Sequence, residues 1–327
     1  DVGRAKQLVY LAAEAGADAA KVQHFEAGKI VSDRGFRSLG DQKSHQSKWS
    51  KSVFDTYVDA EVPRSWTKEL KQTCDEAGIH FFSAPYDFSA VDLLEKSGVP
   101  AHKIGSGDIT WTDMLERVGQ SGLPVFLASG ASEIADVIRA VEIFEKYDVP
   151  LCLMQCNTNY TGAYENFKHV HLNVLKTYAN LFPKVLLGLS DHTPGHAAVL
   201  GAVALGARAI EKHFTDDVSR TGPDHKFSMT PVTWKDMVDR TRELESSLGS
   251  SRKFVAANEK DTVVLQRRCL RAAGKLRAGT KIQEEHIVAL RPAPLGALMP
   301  YDMGAVLGRV LSRDIDFGEH ITLYDVD

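Results

Sequence analysis

The sequence is short of several things, and each shortage excludes a class of protein. It holds four cysteines in 327 residues, Cys74, Cys152, Cys156 and Cys269, and none of them forms a CxxC pair. That is too few for a disulfide scaffold; buried thiols in a reducing cytosol are the expectation, so the protein is read as cytoplasmic. There is no excess of positive charge. The net charge of -4 leaves no electrostatic footprint for nucleic acid or for an anionic membrane. No apolar run is long enough to span a bilayer, and the first residues lack the grammar of a signal peptide. No glycine-rich dinucleotide fingerprint follows an early strand, which counts against an open doubly wound nucleotide-binding sheet. What is present is ordinary for a globular protein: 43% hydrophobic and 25% charged residues. The length suits one large domain with a small one.

From the N-terminus, residues 1–18 read as an amphipathic helix with Leu8, Val9, Leu11 and Ala12 on its apolar stripe and Gly16 as its C-terminal cap. A short apolar strand, AAKVQHF, follows. Residues 27–62 are polar and aperiodic, and such a loop is expected to be either functional or poorly ordered. Its aromatics Trp49, Phe54 and Tyr57 predict that part of it packs, as a lid. From Ser65 onward, helices and short apolar strands alternate strictly, with Ser132 expected to cap one of the helices. Seven strands are predicted, near 19–25, 79–85, 102–106, 124–129, 151–156, 185–190 and 207–214. This grammar specifies a parallel sheet covered by helices, an α/β TIM barrel. A closed barrel has eight strands, and the chain opens on a helix that would follow a strand, so the first strand is expected upstream of Asp1. Residues 1–248 would form this barrel and 249–264 a linker. Residues 265–327 read as a small β-rich domain with a weak internal repeat, Gly-x-x-Ile, in LRAGTKIQEEHIV and IDFGEHITLYDV.

Chemistry in such a barrel sits at the C-terminal ends of the strands. Two successive strands, in residues 185–214, end on Ser190-Asp191-His192 and on Lys212-His213. Parallel neighbours place those ends side by side, so His192 and His213 are predicted to converge on a divalent transition metal. The other strand tips carry Lys21 and Gln23, Ser83 and Tyr86, Lys103, Ser106 and Asp108, Ser129, and Thr158 and Tyr160. A lysine inside an apolar strand needs an anionic partner or a function, and Lys21 and Lys103 recur at matching places. Lysines and hydroxyls suit a phosphate or carboxylate ligand. Lys212 is set aside as a solvated charge, and His169, His171, His225 and His286 as surface residues.

The segments KVQ at 21–23, KIGSGD at 103–108, GLSDHT at 188–193, EKHFT at 211–215, GPD at 222–224 and RP at 291–292 together resemble the sialic acid synthases. The resemblance covers essentially the whole chain, and the tail resembles the antifreeze-like (SAF) domain of those enzymes. It implies condensation of phosphoenolpyruvate with an open-chain N-acetylated amino sugar, such as N-acetylmannosamine, to give a nonulosonic acid and phosphate. It implies a metal on His192 and His213, manganese in the first place, with magnesium or cobalt as alternatives. It places phosphoenolpyruvate on Lys21, Lys103, Ser106, Ser129 and Ser190, and the sugar on Gln23, Asp108, Tyr160 and Asp224. It also implies a domain-swapped homodimer in which Arg291 of one chain reaches the partner's site. Thr158 stands where some members have asparagine, and Asp108 where some have glutamate; both bear on the choice of sugar. Two other readings remain: a synthase of the 3-deoxy-octulosonate phosphate type, which lacks a SAF-like module, and an inactive sugar-binding homologue.

Overall fold

The computed structural model describes residues 1–39, 46, 49 and 51–327. Contacts divide them into two compact units, 1–249 and 250–327. The first opens with α1 (Val2–Glu14), whose first turn is capped by the Asp1 carboxylate accepting from Gly3 N at 2.9 Å. Gly16, just beyond its end, takes the left-handed φ of +91° expected of a terminating glycine.

All seven predicted strands are found: β1 (Ala19–His24), β2 (His80–Pro85), β3 (His102–Ile104), β4 (Val125–Ala128), β5 (Leu151–Cys156), β6 (Leu186–Asp191) and β7 (Ala209–Lys212). They pair in chain order and every pair is parallel. The short helices α2 (Ala27–Ile30), α3 (Asp33–Ser38) and α4 (Val53–Ala60) follow β1. Outside the sheet run α5 (Thr67–Ala77), α6 (Phe88–Lys96), α7 (Thr112–Gly119), α8 (Ile134–Lys146), α9 (Val174–Leu181), α10 (Ala197–Ala204) and α11 (Pro231–Leu248). Among the described residues this is a curled, TIM-like parallel sheet of seven strands, β1 and β7 being its edges. The curl brings those edges together: Lys21 Nζ on β1 lies 3.8 Å from Glu211 Oε1 on β7. Arg4 on α1 reaches Asp216, just past β7, at 3.1 Å.

Every residue of β5 is buried, as parallel strands covered on both faces require. Leu151 and Leu153 join the main core between sheet and helices, while Cys152 and Cys156 take the opposite, concave face. All four cysteines are free and buried, as the sequence predicted. At the base of the concave face, Phe82 and Phe126 stack with ring centroids 5.3 Å apart.

Local details depart from expectation in three places. Glu133, not Ser132, stands at the N-cap of α8, where its backbone N donates to Asp136 Oδ2 at 3.1 Å. Ser132 instead turns its hydroxyl back to Gly130 O at 3.0 Å. Within 27–62 the polar stretch folds as α2–α4, and Tyr57 packs its ring 5.4 Å from Phe25 and 6.4 Å from Trp49. The remainder of that expected lid, residues 40–45, 47, 48 and 50, lies outside the described residues. Third, the far end of the expected linker is helical: α12 (Lys260–Gln266) belongs to the second unit, where Val264 O accepts from Ala293 N at 2.9 Å.

The second unit pairs β8 (Cys269–Ala272) with β9 (Ile287–Leu290) in antiparallel fashion. The internal repeat is a real pseudo-twofold. Leu276 and Ile315 exchange both backbone hydrogen bonds with each other, at 2.8 and 2.9 Å. On either side, Ala272 N to Glu319 O mirrors Leu311 N to Thr280 O, and Ile321 N to Leu270 O mirrors Ile282 N to Arg309 O. The two repeat glycines, Gly279 and Gly318, both make left-handed turns. No helix among the described residues is long and apolar enough to cross a membrane.

Phe144 on α8 is fully buried in the main core. Phe144→Ala should cost about 3–5 kcal/mol, the usual range for deleting a buried ring. Urea denaturation of the variant would show it as a lower midpoint with an unchanged slope.

Candidate active site

Strand alternation sorts the functional residues. On β6, Gly188, Ser190 and then His192 share the concave face, while Leu187, Leu189 and Asp191 point to the helices. On β7, Glu211 and His213 take the concave face and Lys212 the other. The register pairs Ser190 with Glu211 and Asp191 with Lys212, so His192 and His213 come next, side by side. Their ring centroids are 5.3 Å apart. The convergence predicted from the sequence is therefore a consequence of register.

Behind the histidines lies a feature the sequence reading set aside. Lys212 is buried, and its ammonium donates to Asp191 Oδ2 and to Thr193 O. It is not a solvated charge. Asp191 in turn faces this pair rather than the cavity, and also accepts from Thr193 N at 3.0 Å. This bond ties β6 to β7 one residue before each histidine.

A second residue went unnoticed in the sequence: Glu211. Its carboxylate receives Lys103 Nζ at 3.3 Å, Lys21 Nζ at 3.8 Å and the Ser190 hydroxyl at 3.1 Å. Burial works to raise its pKa, but Lys103, Lys21 and His213 outweigh that and hold it down to about 2. Burial lowers the Lys21 pKa, with Glu211 opposing. The signal available in sequence was a charged residue inside an apolar strand, the same argument that picked out Lys21.

Of the hydroxyls, Ser190 and Ser106 gather here. Ser106 Oγ accepts from Gly130 N at 3.0 Å. Gly130 has no room for a side chain, since a Cβ would stand 2.5 Å from Thr158 and 2.9 Å from Ser106. Ser129 is not brought to the lysines. It falls on the helix-facing phase of β4, where it donates to Met154 O at 3.0 Å and accepts from Tyr178 of α9 at 2.9 Å. Ser83 also faces outward, bonded to His24 at 2.7 Å.

The rim is aromatic and acidic. Tyr160 packs 4.4 Å from the His192 ring and 6.2 Å from that of His213, and Phe227 closes on both. Gln23 Nε2 donates to Tyr86 Oη at 2.7 Å. Burial raises the Asp108 pKa to about 6 against the pull of Lys103. Asp224 accepts from His213 Nδ1 at 3.2 Å, and this contact keeps its pKa low despite burial. His225, expected at the surface, is half-buried and bonded to Thr215 at 2.7 Å, fastening the loop that carries Asp224. Arg291 lies in the second unit, where its Nε donates to Gln266 O at 2.7 Å.

The histidines fit a divalent metal. His192 Nδ1 donates to Asn157 O at 2.8 Å, and a carbonyl only accepts, so Nε2 keeps its lone pair. The Asp224 carboxylate fixes His213 in the same tautomer. Burial lowers the His192 pKa to about 4, which keeps the ring neutral and ligating. Among the described residues no third His, Cys, Asp or Glu completes a cluster. Two imidazoles would leave positions open for water or substrate.

The NeuB family model matches residues 8–253 and the SAF domain model residues 267–327. The chain belongs to the NeuB family. N,N'-diacetyllegionaminic acid synthase of Legionella pneumophila is 33% identical, over 98% of this chain and 91% of that protein. Human N-acetylneuraminate-9-phosphate synthase is 32% identical over 80% of this chain and 72% of that one. Among solved structures, N-acetylneuraminic acid synthetase from Leptospira borgpetersenii serovar Hardjo-bovis is 28% identical with a TM-score of 0.69, covering 80% of this chain and 85% of that chain. This NeuB-family chain is an enzyme, a transferase of the acid-synthase type.

Glu211→Gln tests the lysine pair. Removing the buried counter-ion should destabilise the fold by about 3 kcal/mol. Added sulfate should raise the melting temperature of the variant more than that of the parent; equal gains would show that the two lysines do not share one anion site.

Proposed function

We propose that this protein condenses phosphoenolpyruvate with the open-chain form of an N-acetylated amino sugar, giving a nonulosonic acid and inorganic phosphate. The observation that carries the reading is one concave face holding two lysines, Lys103 buried and Lys21 partly so, on a shared carboxylate beside two histidines with free Nε2 atoms. The family relationship supports the same reaction class.

Lys21 and Lys103 would bind the carboxylate and phosphate of phosphoenolpyruvate, a trianion that takes over from Glu211 as their partner. Ser106 and Ser190 would hold its remaining oxygens. The enol carbon C3 attacks the aldehyde carbon of the sugar, forming the new C–C bond and leaving cationic character at C2. Water adds to C2 and gives up one proton, and the former aldehyde oxygen takes one up to become a hydroxyl. The C2–O bond to phosphate then breaks as the C2 hydroxyl loses its remaining proton, leaving the C2 ketone and inorganic phosphate. His192 and His213 would hold a divalent metal, manganese in the first place, which supplies Lewis-acid stabilisation of the charge that develops on the aldehyde oxygen. Holding both reactants in one cleft removes much of the entropic barrier to a bimolecular step. In a domain-swapped homodimer, Arg291 of the partner subunit would close the sugar side, its planar guanidinium gripping two oxygens at once. The SAF domain weighs against an octulosonate-type synthase.

The natural full-length protein, given phosphoenolpyruvate, manganese and an N-acetylated hexosamine, should release phosphate. Silence with N-acetylmannosamine, its 6-phosphate and the diacetamido hexoses alike would sink the proposal. His213→Ala should abolish both turnover and manganese retention on gel filtration, with circular dichroism unchanged.

Arg291→Ala should raise the apparent KM of the sugar by at least an order of magnitude, about 1.4 kcal/mol of binding, and leave that of phosphoenolpyruvate near its starting value. Equal rises would remove the sugar-specific role.

A further inference from the structure

The sheet stops just short of the paired histidines. The last partners in the register of β6 and β7 are Asp191 and Lys212, and His192 and His213 each stand one residue beyond. Ladder pairing therefore does not by itself fix the two imidazoles against each other. His213 is held on its outer side, where its carbonyl accepts from Met229 N at 2.8 Å. What joins it to His192 lies behind the sheet.

There one ammonium group serves both strand ends. Lys212 Nζ donates to the Asp191 carboxylate and to the Thr193 carbonyl, the residues on either side of His192. The chain around His192 is closed a second time, because Asp191 Oδ1 accepts from Thr193 N at 3.0 Å and from Thr193 Oγ1 at 2.9 Å. Lys212 itself immediately precedes His213. A single nitrogen thus connects the backbone that flanks one histidine to the backbone that carries the other. The whole unit is shielded from solvent: the Lys212 and Asp191 side chains are 1% and 2% exposed, and Thr193 is buried.

Stability alone gives little reason for such an arrangement. A buried ion pair has to offset the desolvation of both charges, and apolar residues of similar volume often hold a fold as well or better. Hydrogen bonds to charged groups are directional, so they fix relative positions more narrowly than apolar contact does. Position is what a two-imidazole site needs. The rings are 5.3 Å apart, and each is aimed by its own partner, Asn157 O for His192 and Asp224 for His213. Those partners set the orientation of each ring, but neither of them ties one strand end to the other. The Asp191–Thr193–Lys212 unit does.

We infer that Asp191, Thr193 and Lys212 are positioning residues for a divalent-metal site, holding the His192 and His213 rings at chelating separation before the metal arrives. The inference rests on the metal-bearing reading of those histidines given above. The three residues point away from the cleft and act through the histidines. Supports of this kind, when removed, typically cost on the order of ten- to a hundredfold in metal affinity.

The test is manganese binding to the natural full-length protein, followed by the electron paramagnetic resonance signal of free Mn2+ during titration. The double variant Asp191→Asn with Lys212→Met removes the cross-strand tie and leaves no buried charge unpaired. It should keep the parent's circular dichroism spectrum and bind manganese at least about tenfold more weakly. Thr193→Val, which keeps the branched shape and loses the hydroxyl, should weaken binding severalfold. Phe144→Ala, a core variant on α8, should lose stability and keep the parent's manganese affinity. Parental affinity in the folded double variant overturns the inference. An equal loss of affinity in Phe144→Ala also overturns it, because the effect would then be one of general stability. If the double variant does not fold, Thr193→Val decides, and unchanged affinity there overturns the inference. A parent protein that binds no manganese, or a His213→Ala variant that binds it as tightly as the parent, removes the metal reading and this inference together.

Discussion

Glu211 is the point on which the concave face depends. Two ammonium groups, on β1 and β3, reach one carboxylate on β7. In a flat sheet, strands so far apart in order could not share a counter-ion; the curl makes it possible. The chemistry also requires it. Burying Lys21 and Lys103 without compensation would oppose folding, because desolvation of an isolated charge is costly. Held on Glu211 they can be buried and still be ready for an anionic ligand. The carboxylate keeps a positive site folded before its ligand arrives.

A second buried pair does a different job on the opposite face. Lys212 and Asp191 join the same two strand ends from behind. A one-residue slip between β6 and β7 would separate that pair and turn His213 out of line with His192, because side chains alternate faces with a period of two. The two ion pairs, one on each face, thus specify one register between them. The tautomers are set from further out, by Asn157 O and by Asp224. The geometry of the histidines rests on a carbonyl in the loop after β5 and a carboxylate in the loop after β7.

The cleft is polarised along its length. Its deep side offers positive charge through Lys21 and Lys103, and its rim offers acids and phenols through Asp108, Asp224, Tyr57, Tyr86 and Tyr160. Such a gradient favours a multiply charged anion at the deep side over the rim.

Much of this was legible in the chain itself. The apolar runs of β1 to β7 and the helical patterns between them determined a parallel helix-covered sheet, because periodicity reflects which face is buried. The matching places of His192 and His213 at two successive strand ends determined that they meet. The repeated Gly-x-x-Ile turns determined the twofold of the second unit. Tertiary structure alone decided which partner each charge found. Lys212 and His213 are neighbours in sequence but face opposite sides of the sheet. Ser129 and Gly130 part in the same way, which took the Ser129 hydroxyl to Tyr178 and away from the lysines. Glu211 looked no different from any strand charge until the curl set β7 against β1 and β3. Local pattern reports burial; the identity of a long-range partner is set by how the sheet closes, and no window of sequence contains that.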